Sequence, residues 1–315
     1  MHLSELIAAL IFIALVGAVA ALEALVWGEY VVDRLRRVSP RSSPWRPRAL
    51  AIHGLFLAGA LCVLYGFLIE PYWLEVSRLD VPTAKLRRVS LRVVQISDTH
   101  CERQLRNEPR LAAIINALDP DVIVFTGDAL NDRRALSVFK ELLRSLRARL
   151  GKFAVRGNID EQYHSRIDLF GDTGFRELRD ETVELAKGGE TFCVTGLGLY
   201  GGAEALGAVR ALSRDRLRIV LHHYPAITRD LGGGEADLCL VGHTHGGQVR
   251  LPFYGALVTL SETGKEYEAG AYRVGDLLLY VNRGVGMEGW YAPRVRFWCR
   301  PEIAVFDIHP KDAKP

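Results

Sequence analysis

Paired cysteines are missing from this chain: Cys62, Cys101, Cys193, Cys239 and Cys299 form an odd, scattered set in 315 residues. That spacing excludes a disulfide framework and a thiolate zinc site. Cys193 and Cys239 lie inside apolar runs and are expected to be packed thiols. An excess of one charge is missing too. The 40 Lys and Arg offset 37 Asp and Glu to leave +3, too little to offer a nucleic-acid footprint. With 49% hydrophobic and 24% charged residues, and without repeats or low-complexity tracts, the chain is not compositionally disordered. Its length predicts about two structural units.

A mean hydropathy of +0.08 reflects two uneven stretches. Leu6–Leu22 carries no charge, and the apolar character resumes after Glu23 through Trp27. As a helix, residues 6–27 span about 33 Å, against roughly 30 Å of bilayer hydrocarbon. Ala49–Ile69 is a second uncharged run. The first run is too long for a signal peptide and lacks the basic start of one. The two runs are therefore read as a transmembrane hairpin over residues 1–70, a cell-membrane multi-pass segment whose partner is the lipid bilayer. Its connecting loop holds Arg34, Arg36, Arg37, Arg41, Arg46 and Arg48, broken by Pro40, Pro44 and Pro47. Basic short loops stay cytoplasmic, which puts the remaining domain outside the cytoplasm; Lys85, Arg87, Arg88 and Arg92 near the second exit weaken that bias. Trp27, Trp45, Tyr72 and Trp73 suit interfacial anchoring. Glu23 and His53 each lie near the loop end of their helix, and snorkelling to the headgroups is favoured over a functional pair.

Residues 71–90 read as a polar link with Pro71 and Pro82. From 91 to 309 strands and helices alternate, and 310–315 is a tail. Leu91–Ser97, Asp121–Thr126 and Lys152–Arg156 read as strands, with helices over Pro109–Leu118 and Asp132–Leu150 between them. This β-α-β-α-β opening predicts parallel strands covered by helices. Thr182–Ala186 and Thr191–Thr195 read as a hairpin. Leu217–Leu221, Asp237–Val241, Gln248–Leu251, Leu277–Val281 and Ile303–Ile308 are further strand candidates.

Cation-binding residues stand at the ends of these strands. They are Asp98-Thr99-His100, Gly127-Asp128, Gly157-Asn158, His222-His223-Tyr224-Pro225 and Gly242-His243-Thr244-His245-Gly246-Gly247. Asp-x-His, Gly-Asp and Gly-Asn each read first as turns and His-x-His in a glycine-rich loop is stronger, but ligands collect outside the carboxyl ends of parallel strands, so the joint occurrence points to one metal crevice. Carboxylates, imidazoles and a carboxamide without thiolate suit Mn, Fe or Zn. A carboxylate bridging two such ions would suit phosphoryl displacement.

The chain resembles the calcineurin-like metallophosphoesterase superfamily, whose pattern is D-x-H, GD, GN-x-(D/E), H and GH-x-H, over roughly Leu91 to Ile308. The segment from Gly242 to Pro252, with Arg283-Gly284-Val285-Gly286 and Pro301-Glu302-Ile303, is similar to its bacterial membrane-associated branch. The resemblance implies an α/β fold with a two-sheet sandwich flanked by helices, and two divalent metal ions. Asp98, His100, Asp128 and His245 would hold the first; Asp128, Asn158, His223 and His243 would hold the second, with Asp128 bridging. Asp128, Asn158 and His223 would take part in catalysis, and the implied partner is a phosphorylated small-molecule or lipid substrate.

The family commonly has His after Gly-Asn; here it is Ile159, which cannot donate a proton. A phosphate leaving group needs less protonation than an alkoxide, so cleavage of a pyrophosphate or activated ester fits best. This resembles the UDP-2,3-diacylglucosamine pyrophosphatases, whose nucleotide-sugar substrate is cytoplasmic, unlike the placement that the arginine loop favours. His164 as a substitute acid, a non-catalytic metal-binding membrane receptor and an amide hydrolase are the competing readings. His164 is by default a surface histidine. Cys101 reads as a packed thiol, Gly232-Gly233-Gly234 as a plain loop, and Trp290, Tyr291, Phe297 and Trp298 as core rather than as an apolar rim.

Overall fold

A computed structural model describes residues 2–39, 43–232, 234–289 and 294–311 of the chain; Pro40, Arg41, Gly233, Trp290 and Tyr291 lie outside the described residues. The two uncharged runs form helices α1 (Leu3–Leu35) and α2 (Pro47–Leu68). Both are long and apolar enough to cross a membrane, and they lie side by side with their apolar faces exposed. Pro47 at the first turn of α2 has no helical N–H to lose there. Glu23 and His53 pair, with Oε2 2.6 Å from Nδ1. The Trp27 indole donates to Glu23 at 3.0 Å, so the residues meet across the helix contact and close each other's polar groups.

The remainder is an α/β sandwich of two six-stranded sheets with helices outside. The strands are β1 (Glu75–Thr83), β2 (Leu91–Ile96), β3 (Val122–Thr126), β4 (Gly151–Val155), β5 (Phe175–Glu177), β6 (Glu181–Lys187), β7 (Glu190–Gly196), β8 (Leu217–Leu221), β9 (Leu238–Val241), β10 (Arg250–Leu251), β11 (Gly255–Ala256), β12 (Gly270–Val274), β13 (Leu277–Val281) and β14 (Glu302–Pro310). The helices of this part are α3 (Glu108–Ala117), α4 (Leu136–Ser145), α5 (Asn158–His164) and α6 (Ala203–Arg210). One sheet has the order β1-β14-β2-β3-β4-β5 and the other β12-β13-β9-β8-β7-β6; β10 and β11 form a small ribbon. Val93, Val124, Phe153, Val194, Ile219, Leu240 and Phe306 fill the space between the sheets. Ile96, Phe125, Phe139, Leu143 and Phe170 pack the outer face of the first sheet under α3 and α4. A third cluster, with Val209, Val220 and Leu279, lies outside the second sheet.

Three boundaries differ from the sequence reading. The polar link 71–90 contains β1, an edge strand pairing in parallel with β14 in the register Glu75↔Glu302 to Thr83↔Pro310. Its polar alternation hides it, and its partner lies at the far end of the chain. The helix expected over Asp132–Leu150 is regular only from Leu136 to Ser145, after a 3-10 turn at Arg133–Ala135. Beyond it the backbone bonds elsewhere: Arg147 N–H donates to Asn116 and Leu150 N–H to Asp121. The strand expected at Gln248–Leu251 shrinks to the two residues of β10.

In the first sheet β2, β3, β4 and β5 run parallel, and in the second β7, β8, β9 and β13 do. Their carboxyl ends open onto one edge of the sandwich, where the functional loops lie.

Candidate metal centre

Each candidate ligand follows a buried strand, and the backbone bends sharply to turn it inward. Asp98 (φ 49°), His100 (φ 40°), Asp128 (φ 58°), His243 (φ 74°) and His245 (φ 51°) all have left-handed backbones. For non-glycine residues each such conformation costs about 1–2 kcal/mol, and such strain clusters at functional sites. The glycines before the ligands have a separate reason. A Cβ on Gly157 would stand 2.1 Å from Asp128 Oδ1, and one on Gly242 would stand 2.2 Å from Asp98 Oδ2. The loops can close on each other only without side chains there.

The seven side chains converge. Asp98, His100 and His245 bring ligand atoms within 4.8 Å of one another, as do Asp98, Asp128 and His223. Asp128 Oδ2 is 3.7 Å from His100 Nε2 and 3.3 Å from His223 Nε2, so it stands between the two halves. His245 Nε2 is 3.5 Å from Asp98 Oδ1. Asn158 Oδ1 lies 3.0 Å from His223 Nε2 and 3.1 Å from His243 Nδ1. All but Asn158 and His243 are almost completely buried.

The surroundings orient these groups. His100 Nδ1 lies 2.9 Å from Asn131 Oδ1 and His223 Nδ1 lies 2.7 Å from the Thr126 carbonyl oxygen. Each ring therefore donates outward through Nδ1 and turns its Nε2 toward the centre. His243 N–H donates to both oxygens of Asp98, at 3.1 and 3.2 Å. The Asp160 carboxylate accepts from Asp128 N–H (2.8 Å), Ala129 N–H (2.9 Å) and Gly157 N–H (3.0 Å), tying the Gly-Asp loop to the Gly-Asn loop.

The donor set fits two cations. His100 Nε2 and His245 Nε2 face each other at 3.0 Å, and His245 Nδ1 is buried without a partner. Oxygen and nitrogen lone pairs thus crowd a buried space that a positive ion would stabilise. Burial drives His100 down to about 4 and His243 to about 3, and carries His245 well below the usual range, leaving neutral imidazoles, the form that ligates metals. His223 differs: burial opposes its charge, but Asp128 raises it to about 10. Burial likewise works against the charge on Asp128, yet the neighbouring imidazoles, His223 foremost, hold its carboxyl below the ordinary range. Burial pushes Asp98 up to about 7 against the pull of His223.

Residues 91–247 match the family model for calcineurin-like phosphoesterases. The chain is 33% identical over 274 residues to an uncharacterised metallophosphoesterase, YkuE, of Bacillus subtilis, covering 81% of this chain and 94% of the relative. The chain belongs to the calcineurin-like metallophosphoesterases. Within this family of metal-dependent hydrolases it is also similar to the phosphodiesterase YaeI of Escherichia coli (29% identity; 76% of this chain, 90% of the relative). It is 26% identical to the UDP-2,3-diacylglucosamine pyrophosphatase LpxG of Chlamydia muridarum, covering 81% of this chain and 95% of the relative.

Other singled-out residues fall around this metallophosphoesterase site. Ile159 is buried, and its N–H donates to Asp128 Oδ1 at 2.9 Å. It forms one wall of a groove of about 930 Å³ that Arg103, Arg133, Tyr163 and His164 also line. His164 is no surface histidine: the ring is buried at the end of α5, with Nε2 3.3 Å from the Leu130 carbonyl oxygen. Cys101 is fully buried, and burial pushes its thiol far up. His222 packs beside the site with Nδ1 3.1 Å from the Tyr224 carbonyl oxygen. Trp298 is exposed rather than core. The bracing Asp160, the orienting Asn131 and the fully buried Arg296, which donates to the carbonyls of Arg283, Gly284 and Gly286, received no role from the sequence. For Asp160 a signal was present, the acidic position of the Gly-Asn-x-Asp pattern.

Proposed function

We propose that this chain is a membrane-anchored hydrolase that holds two divalent cations of Mn, Fe or Zn type and cleaves a phosphodiester or pyrophosphate bond in an amphiphilic, lipid-linked substrate. The observation that carries this reading is the convergence of the seven side chains on Asp128. Asp98, His100, Asp128 and His245 would hold one ion, and Asp128, Asn158, His223 and His243 the other. When bound, such a pair lowers the pKa of water and neutralises phosphoryl oxygens along an in-line displacement. The protein's own residues supply alignment and exclusion. His223 and Asn158 meet beside Asp128 and orient its inner face, while the Asp160 brace fixes the distance between the loops of Asp128 and Asn158.

Ile159 narrows the substrate. Its side chain stands at the groove next to Asp128 and offers no proton, so a leaving group that is a weak base is favoured. A phosphate, with a second pKa of about 6, meets that condition. The similarity to a pyrophosphatase and the two apolar helices support an amphiphilic diphosphate. The arginines of the connecting loop support a cytoplasmic loop and an extracytoplasmic domain over residues 91–309.

The test is product analysis with the manganese-loaded full chain on a diphosphate-linked lipid, an alkyl phosphodiester and an amide. Turnover of the diphosphate, abolished by Asp128→Asn, is expected. Metal binding without turnover of any substrate would leave a non-catalytic receptor instead.

A further inference from the structure

The two helices join the domain at the edge that carries the metal centre. Near the start of α1, Glu5 is fully buried and accepts from Thr259 N–H at 3.1 Å and Thr259 Oγ1 at 2.6 Å. After α2, Glu70 is fully buried and accepts from Trp298 N–H at 2.9 Å and from Cys299 N–H. Cys299 Sγ in turn donates to the His245 carbonyl oxygen at 3.1 Å. No spacer separates this edge from the apolar helices. Leu6 follows Glu5 and Ile69 precedes Glu70, and one helical residue rises only about 1.5 Å.

The exposed side chains of the domain show the same polarity. Among the described residues, the exposed large apolar or aromatic side chains beyond α2 lie in the loops and short helical turns of the metal-bearing edge, apart from Tyr163 on α5, the helix that starts at that edge. Trp73 precedes β1, Leu105 follows β2, Phe253 and Leu260 follow β9, and Trp298 precedes β14. Phe253 is fully exposed and Trp298 is 58% exposed. The opposite edge instead presents Asp119, Asp121, Arg149, Lys187, Asp307 and His309 around a second hollow. A water-facing domain gains nothing from gathering its apolar side chains on one edge, whereas tryptophan and tyrosine suit the membrane–water interface. Arg103 and Arg133, on the same edge, complement phosphate headgroups.

We infer that the metal-bearing edge lies against the bilayer from which the two helices emerge, so that the site takes lipid-borne phosphates at headgroup depth. This rests on the membrane-anchored reading above, and it adds the orientation of the domain and the route of the substrate. A phosphate carried by a soluble molecule would have to enter between protein and headgroups, whereas one carried by an amphiphile is already at the level of the groove beside Ile159.

The test uses the full chain with Cys62→Ser in nanodiscs of phosphatidylcholine and phosphatidylglycerol. A fluorophore is placed in turn at Leu57→Cys on the helices, Leu105→Cys and Phe253→Cys on the metal edge, and Asp215→Cys on the opposite edge. Lipids spin-labelled at the headgroup or along the chain act as quenchers. The expected result is loss of fluorescence at 105 and 253 with headgroup-level quenchers, at 57 with chain-level quenchers, and none at 215. Quenching at 57 without quenching at 105 and 253, or with quenching at 215 in their place, overturns the orientation and leaves the anchor standing. No quenching at 57 removes the anchor, and the orientation with it.

Discussion

At Ile159 an apolar side chain stands beside Asp128, where relatives of this pattern commonly carry an imidazole, and the backbone N–H is its only polar contribution to the site. Restoring the imidazole is therefore informative. Ile159→His is expected to raise turnover of alkyl phosphodiesters by roughly a hundredfold, the low end of general-acid effects, and to leave diphosphate turnover little changed; parallel kinetics on both substrates check it. Asp160 acts differently, because it touches no ligand atom at the centre but accepts from three backbone N–H groups on two loops. Asp160→Ala leaves those buried donors unsatisfied, at a cost of about 3 kcal/mol or more. The expected outcome is a lower denaturation midpoint together with weakened manganese retention, read by metal analysis after gel filtration. Asp160→Asn, which keeps an acceptor oxygen, should recover part of both.

At the scale of elements, the chain is fastened by a carboxylate at the start of β14. Glu302 is almost fully buried and accepts from Tyr280 Oη at 2.8 Å, Arg283 N–H at 2.9 Å and Arg283 Nη2 at 3.0 Å, and it also bonds Ser77 of β1. Burial opposes its charge, but Arg283 outweighs burial and holds the carboxyl below its ordinary range. A depressed carboxyl stabilises the fold fully above the unfolded-state value near 4.3, and that contribution is lost as pH falls through the folded value. Glu302→Gln breaks a buried charged pair, with an expected loss of about 3–5 kcal/mol near neutral pH. The difference from the parent should shrink as unfolding is measured at pH values progressively below 4. β1, which this residue helps to hold, was not legible in the sequence, because none of its nine residues is fully buried, three are exposed, and its only sheet partner is more than 200 residues away. The ligand loops were legible because a strand's buried run ends abruptly in glycine and metal-binding side chains. The Glu5–Thr259 bond and the exposure of Trp298 arise from contacts across the whole chain, which no local pattern encodes.

For the molecule as a whole, two sheets, each carrying part of the ligand set, are held together at their shared edge, so cation binding should stabilise the entire domain. Ligands that bind only the folded state add about 2.7 kcal/mol at a hundredfold excess over Kd. Manganese is thus expected to raise the unfolding midpoint of the detergent-solubilised chain, and chelator to reverse the shift. The bracing of the His245 loop through Cys299 and Glu70 couples that stability to α2. The most direct measurement is anomalous diffraction at the manganese edge from crystals of the manganese-loaded full chain. Two peaks are expected roughly 3.5–4 Å apart, a two-metal spacing, with the Asp128 carboxylate between them, His100 and His245 at one, and Asn158, His223 and His243 at the other. No peak among these residues, or peaks elsewhere on the chain, would contradict that assignment.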